Sequence, residues 1–295
     1  MTQTKDKTES LSDVIDVVVN ETLREYTSVN LKESDLAISL IDLTSPDAVK
    51  LADFRGNERI YPASVVKLFY LVAVHQWLKE GKLKEREELK RALHDMIVDS
   101  SNDATSYVLD LLTSTTSGPE LPEGEMADWA KKRNAVNEYF AKLSFENINV
   151  NQKTWGDGPF GRERIFVGHD YENRNKLTTN ATSRLLSEIV AGKAITPTYC
   201  RAMMDLLARD FKKKSDDPDD QATKFIGAVV PTDAKLWSKA GWTSIVRHDA
   251  AYVEFPNGIR FVLVIFTSNH AKEHGIIPSI TRKVLEQMIL CHQNK

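Results

Sequence analysis

The spacing of apolar residues outlines the elements of this chain before any chemistry is considered. Leu11, Ile15, Val18, Val19, Leu23 and Tyr26 recur at helical spacing and predict a helix over 11–26. "LAISLIDL" (36–43) predicts a strand, followed by the turn-like "TSPD" (44–47), and "AVKLADFRGNERI" (48–60) predicts a second strand running into a turn. The helical period returns from Ser64 to Trp77 and stops at Gly81. It repeats over 84–98 through Leu89, Leu93, Met96 and Ile97, and again from about Ala104 to Leu112. "STTSGPELPEGE" (114–125) is a loop by composition, and "SRLLSEIV" (183–190) and "YCRAMMDLLARDF" (199–211) predict two further helices. "KKKSDDPDDQATK" (212–224) is charged and broken by Pro218, so it reads as an exposed loop or a boundary. Strand signals follow. "DAAYVEF", the turn Pro256-Asn257-Gly258 and "IRFVLVIFTS" form a β-hairpin pattern, and a last amphipathic helix begins near Pro278.

The order is thus helix, strands, a long helical stretch, strands, helix. Terminal segments of the same type can pair, which predicts an α/β (α+β) arrangement of two lobes. Residues 1–58 and 222–295 form an α/β lobe with an antiparallel sheet, residues 59–221 form an all-helical lobe, and a cleft between them is the expected site. A chain of 295 residues is long enough for this.

Composition narrows the function classes. With 41% hydrophobic and 27% charged residues the chain reads as an ordinary globular protein, and a formal net charge of -3 gives no basic field to gather nucleic acid. No apolar run is long enough to span a membrane, and "MTQTKDKTESLSDV" at the start lacks the apolar stretch of an export signal. The expectation is a cytoplasmic protein, with no nucleic-acid or membrane partner. A chain trimmed of its signal would read the same and would act in the periplasm. Cys200 and Cys291 form no metal-ligand pattern and read as buried thiols, and the oligomeric state is left open.

Three short stretches carry candidate chemistry. "YPASVVKLFY" (61–70) holds the only S-x-x-K in the chain, and on a helix Ser64 and Lys67 share a face. A serine is a poor nucleophile without a base, and a lysine serves as one when desolvation or nearby positive charge lowers its pKa. At a helix start the Ser64 N–H is unpaired and can bind an oxyanion. A capping serine followed by a surface lysine gives the same letters. In "MIVDSSNDATSYVLDLL" (96–112), Ser100 can relay a proton and Asn102 can bind a carbonyl, while a serine-capped corner between two helices fits equally. In "KLWSKAGWTS" (235–244), Lys239 on an edge-like strand can hold an anion beside Gly241, where another backbone can approach closely. A solvated lysine fits the same letters.

Taken together in this order, S-x-x-K, S-x-N and K-x-G resemble the signature of the penicillin-recognising serine enzymes. "YPASVVKL", "MIVDSSNDAT" and "SKAGWTSIVRHDAAYVEF" look like the class A β-lactamase family, from about Leu36 to the last helix. The resemblance implies a β-lactamase/transpeptidase-like fold: a mainly antiparallel sheet flanked by helices, plus an all-helical lobe. It implies that Ser64 is acylated, that Lys67 takes its proton, and that Ser100 passes a proton to the leaving nitrogen. Asn102 would bind the substrate's side-chain amide. Lys239 would anchor its carboxylate and act on Ser100. The N–H groups of Ser64 and Trp242 would form the oxyanion hole. The substrate is then a small-molecule amide or ester, and neither metal nor cofactor is implied.

The chain also departs from the family pattern. The span from Ser64 to Ser100 is shorter than usual and the loop after Leu112 is longer. Ala240 replaces a threonine, and Thr243, two residues beyond Gly241 on the same strand face, is a candidate substitute. Arg247 and His248 both stand where a carboxylate-binding cation is expected, and Arg247 is preferred because its charge does not depend on pH. The E-x-x-x-N signature for deacylation is absent from "WGDGPFGRERIFVGHDYENRNKLTT" (155–179). Glu163 stands at the right distance before Thr178. Its other reading is a loop carboxylate paired with Arg162 and Arg164. Three functions compete: a serine hydrolase acting on a β-lactam or a related amide or ester, with slow deacylation; a penicillin-binding, peptidase-like protein; and a non-catalytic binding protein that kept the cleft.

Overall fold

The computed structural model describes residues 10–45 and 48–293. It opens with α1 (Leu11–Glu25), set by a capping box in which Ser10 accepts from Asp13 N and Asp13 accepts from Ser10 N. Two strands follow, β1 (Leu36–Asp42) and β2 (Lys50–Phe54). Part of the turn expected between them, Pro46 and Asp47, lies outside the described residues, as does most of the polar start of the chain. Eight helices come next: α2 (Lys67–Lys79), α3 (Glu87–Ile97), α4 (Asn102–Thr113), α5 (Glu123–Arg133), α6 (Ala135–Lys142), α7 (Gly161–Val167), α8 (Thr179–Val190) and α9 (Pro197–Leu207). The chain ends with β3 (Lys235–Trp242), β4 (Val246–Glu254), β5 (Arg260–Ser268) and α10 (Ile276–Gln293). Helices α5, α6 and α7 were not singled out from the sequence.

The chain forms two compact units, residues 1–56 with 208–295 and residues 57–207. The second boundary falls at 207/208 rather than at 221/222. The reason is local: Ala208 bridges to Trp237, Arg209 N donates to Leu236 O at 2.9 Å, and Asp219 pairs with Arg247. These bonds tie residues 208–221 to the strands.

In the first unit the five strands form one sheet in the order β2-β1-β5-β4-β3, antiparallel throughout. The β4–β5 connection is the hairpin expected at Pro256-Asn257-Gly258, with Gly258 at φ 88°. Leu36, Ile38 and Leu40 of β1 and Phe261, Leu263 and Ile265 of β5 lie in the core with Val14, Val18 and Val19 of α1 and Ile276, Ile280 and Val284 of α10. The helices at the two ends of the chain thus share one core with the sheet.

In the second unit α2 is the hub. Leu68 to His75 are all buried, as expected of a helix that is apolar all round. It packs against α3, α4, α6 and α9, with Phe69 edge-on to Phe140 at 4.9 Å. This burial holds the first residue of α2, Lys67, in place. Neither cysteine forms a disulfide among the described residues; Cys200 is buried as expected and Cys291 is partly exposed.

Candidate active site

Ser64 lies within a short 3-10 turn, Ala63–Val66, that runs directly into α2. It is not a capping serine: the residues preceding the turn and the helix are Pro62 and Val66, and neither makes a side-chain cap. Ala63, immediately before it, is buried and left-handed at φ 44°. A non-glycine residue held there is strained, and such strain gathers at functional turns.

Lys67 is fully buried, and its Nζ stands 2.9 Å from Ser64 Oγ, 2.5 Å from Ser100 O, 3.2 Å from Ser100 Oγ and 3.0 Å from Asn102 Oδ1. Burial lowers its pKa from 10.5 to about 7. Desolvation accounts for the shift. A neutral amine has two N–H groups and one lone pair. Ser100 O and Asn102 Oδ1 can only accept, so they take the two N–H groups and leave the lone pair for a hydroxyl. The arrangement can accept a proton from Ser64.

The serine-capped corner read from "SSN" is present. Ser101 caps α4, accepting from Ala104 N at 3.1 Å. The residues either side of it turn to Lys67, and Ser100 does so with a left-handed backbone at φ 58°. The left-handed Ala63 and Ser100 were not foreseen, since neither is a residue type that signals that conformation.

In the sheet unit Lys239 is fully buried on β3, so it is not a solvated lysine. Its Nζ donates to Gln221 Oε1 and, at 2.7 Å, to Ala240 O. Gly241 and Trp242 pair in register with His248 and Arg247. Thr243 lies beyond the end of the strand, not on its face. Its Oγ1 accepts from Ile245 N at 3.1 Å and Val246 N at 3.2 Å, so it builds the β3–β4 turn.

Arg247 does not present its guanidinium outward. It is buried, donates to Asp219 Oδ1 at 2.5 Å and to Pro218 O at 3.0 Å, and lies 3.8 Å from the centre of the Phe225 ring. His248 is also buried, accepting from Thr267 N at 3.1 Å and stacking on Phe266. Long inward-facing residues on a central strand are drawn into the core's own bonding, which a motif comparison does not register.

Glu163 is on α7 and is ion-paired, but not with its sequence neighbours. Its Oε1 accepts from Arg133 at 2.7 Å and from Ser117 Oγ at 2.9 Å, with Lys153 Nζ at 3.7 Å. Asp110 joins the group through Arg133 at 3.2 Å and Lys153 at 2.7 Å. Arg162 instead donates to Pro119 O and Arg164 to His169 O. Glu163 Oε2 is buried without a hydrogen-bond partner. Arg133, Lys153 and Asp110 come from three separate stretches, and nothing in their spacing announces the group.

Among the described residues His94, Asp95 and Asp99 bring possible metal ligands within 4.8 Å of one another. Exposed acidic groups commonly gather this way without an ion, so the cluster is no argument for a metal. Among the same residues no helix is long and apolar enough to cross a membrane.

Residues 19–288 match the family described as the Beta-lactamase enzyme family. The chain belongs to that family. Solved structures agree on the fold. A beta-lactamase from Sphaerobacter thermophilus DSM 20745 is 19% identical with a TM-score of 0.67, covering 93% of this chain and 98% of its own. A beta-lactamase from Chitinophaga pinensis DSM 2588 is 17% identical with a TM-score of 0.67, covering 92% and 98%. A substituted PBP-A, solved as an acyl-enzyme complex with penicillin G, is 18% identical with a TM-score of 0.65, covering 94% and 96%. The search of curated proteins found no match. The β-lactamase-like fold read from the sequence is therefore the fold of this chain, and its family is one of hydrolases of the serine β-lactamase kind.

Proposed function

We propose that this member of the family is a serine hydrolase that forms an acyl-enzyme at Ser64 with a β-lactam or a related amide or ester, and that it releases the acyl group slowly. One observation carries the reading: a fully buried lysine with a pKa lowered to about 7 stands 2.9 Å from the Ser64 hydroxyl. That pKa leaves a large share of Lys67 neutral at physiological pH, the condition for a general base.

In acylation Ser64 Oγ attacks the substrate carbonyl while its proton passes to Lys67 Nζ. The carbon–nitrogen bond then breaks, and the nitrogen receives a proton through Ser100 Oγ. The N–H groups of Ser64 and Trp242 stabilise the oxyanion. Asn102, whose Oδ1 is engaged by Lys67, offers its Nδ2 donor to a substrate carbonyl. Lys239 holds an anionic group of the substrate beside Gly241. Thr243 and Arg247 drop out of the binding set, because the β3–β4 turn and the Asp219 ion pair occupy them. In deacylation water attacks the ester, the bond to Ser64 Oγ breaks, and the acid leaves.

Glu163 is the proposed group to activate that water, through Oε2, yet two donors and the nearby Lys153 charge fix its other oxygen. A carboxylate held this way cannot swing toward a water without breaking an ion pair. That favours a second reading, a penicillin-binding protein that keeps its acyl group. Intact-protein mass measured over time with penicillin G separates the two. An adduct that persists for minutes and then decays supports the slow hydrolase, an adduct that does not decay supports the binding protein, and no adduct, or one that survives Ser64→Ala, rejects both.

A further inference from the structure

The segment Pro218–Lys224 forms a strap held near both ends. Arg247 donates to Asp219 Oδ1 at 2.5 Å, to Pro218 O at 3.0 Å and to Lys224 O at 3.4 Å. Asp220 folds the strap on itself, accepting from Thr223 N at 2.7 Å and from Thr223 Oγ1 at 2.6 Å. Just beyond, Ile226 N donates to Asp249 Oδ2 at 3.1 Å. Between these anchors Gln221, itself 8% exposed, sets its side-chain oxygen on Lys239 Nζ. All of these residues belong to the sheet unit.

Among its contacts, Lys239 Nζ donates to two uncharged oxygens, those of Gln221 and Ala240, and Asp249 lies within electrostatic reach of it. A carboxylate is the stronger acceptor for an ammonium, because a bond charged on both sides is shorter and roughly twice as strong as a neutral one. The amide satisfies the lysine yet yields to an anion. We propose that Gln221 is a specificity-determining residue, whose amide oxygen holds the position on Lys239 that a substrate's anionic group takes. The exchange of one acceptor for another sets how far a carboxylate-bearing substrate is preferred over an uncharged one. The inference rests on the assignment of Lys239 as the anion-binding group and not on which group activates water.

The chemistry gives two substitutions with opposite effects. Gln221→Glu keeps the length of the side chain and supplies an internal carboxylate that competes with the substrate's own. Gln221→Ala removes the competing acceptor. The test compares Ser64 labelling by penicillin G, which carries a carboxylate, with labelling by an uncharged fluorophosphonate, both followed by intact mass. The ratio of the two rates is expected to fall roughly tenfold or more in Gln221→Glu and to rise in Gln221→Ala, through concentration dependence rather than the limiting rate. Fluorophosphonate labelling stays near the wild-type rate in both. A merely structural role moves both probes together. Variants that melt like the wild type and leave the ratio unchanged, or slow both probes equally, overturn the inference. If Gln221→Glu fails to fold, the sign of the change in Gln221→Ala decides it. Wild-type protein labelled by fluorophosphonate but not by penicillin removes the anion-binding role of Lys239, and this inference with it. Labelling by neither probe removes the acylation reading itself.

Discussion

Ser100 O accepts from Lys67 Nζ at 2.5 Å, and a left-handed Ser100 backbone at φ 58° accompanies that contact. A backbone oxygen cannot rotate away or give a proton. It therefore fixes one N–H of Lys67, as Asn102 Oδ1 fixes another at 3.0 Å. The Lys67 amine is thus oriented by the protein's own acceptors.

The acylation rate should accordingly rise with pH along an acid limb centred near 7 and level off above it, because Lys67 must be neutral to accept the Ser64 proton. Stability has a linked signature. The folded pKa of about 7 lies below the ordinary 10.5, so the unfolded chain binds more protons between those values. Stability should then rise with pH through that window, and the burial penalty is felt in full below 7. Lys67→Met should slow acylation roughly a hundredfold or more and abolish this part of the pH dependence of stability. Rates of penicillin labelling from pH 5 to 9 and urea melts from pH 6 to 10 measure both. A rate independent of pH would falsify the role of Lys67 as base.

The proposed mechanism gives Ser100 two functions that one substitution separates. Ser100→Gly keeps the carbonyl on Lys67, since glycine adopts a positive φ without penalty, and removes only the hydroxyl. Loss of a proton relay matters when the leaving group is a basic nitrogen and little when it is an acidic phenol. Ser100→Gly should slow acylation by a β-lactam by roughly two orders of magnitude and acylation by a p-nitrophenyl ester far less. Equal slowing of the two would place the defect in Lys67's position instead.

The sequence made the Ser64–Lys67 contact legible because it is local. Ser64 and Lys67 are three residues apart, and their helical neighbours are unmistakably apolar. The hairpin at Pro256-Asn257-Gly258 is equally local, and the order of elements followed from such signals. What the sequence hid depends on distant partners. Arg133, Asp110, Lys153 and Glu163 meet from four stretches, and no spacing rule links them. Thr243 passed for a strand residue because strand ends are set by turn bonds that alternation does not encode. Arg247 passed for a substrate ligand because a motif gives the identity of a residue and not its burial.

Arg247 is thus a test of architecture. Arg247→Met leaves Asp219 and the carbonyls of Pro218 and Lys224 without their donor. Asp219 is partly exposed and regains water, so the loss should fall near the low end of the roughly 3–5 kcal/mol typical of a broken buried pair. Denaturant melts should show a lowered midpoint. In the protein that remains folded, the preference for carboxylate-bearing over neutral acylating agents should survive. A stable variant that has lost this preference would return Arg247 to the substrate site.

Release of the acyl group is the step expected to be weak. In the proposed mechanism acylation uses Lys67 and Ser64, whereas water attack on the ester needs another positioned base, and lacking one costs roughly two to four orders of magnitude. Glu163 has one oxygen held by Arg133 and Ser117 near the Lys153 charge and the other buried without a partner. Penicillin should therefore label the protein in a form that persists for minutes or longer. Glu163→Gln removes the charge opposite Arg133 and Lys153, so it should lower the melting midpoint, on the roughly 3–5 kcal/mol scale of a buried pair that loses one partner. It separates two roles. If Glu163 activates water, the adduct in Glu163→Gln outlasts that in the wild type while forming at the same rate. If Glu163 only anchors α7, the variant melts earlier and its adduct decays no more slowly. Mass spectra taken during formation and after removal of free penicillin give the two rates. Rapid turnover, unchanged in Glu163→Gln, would contradict both slow release and a Glu163 base, and would assign the water to another group within residues 156–175.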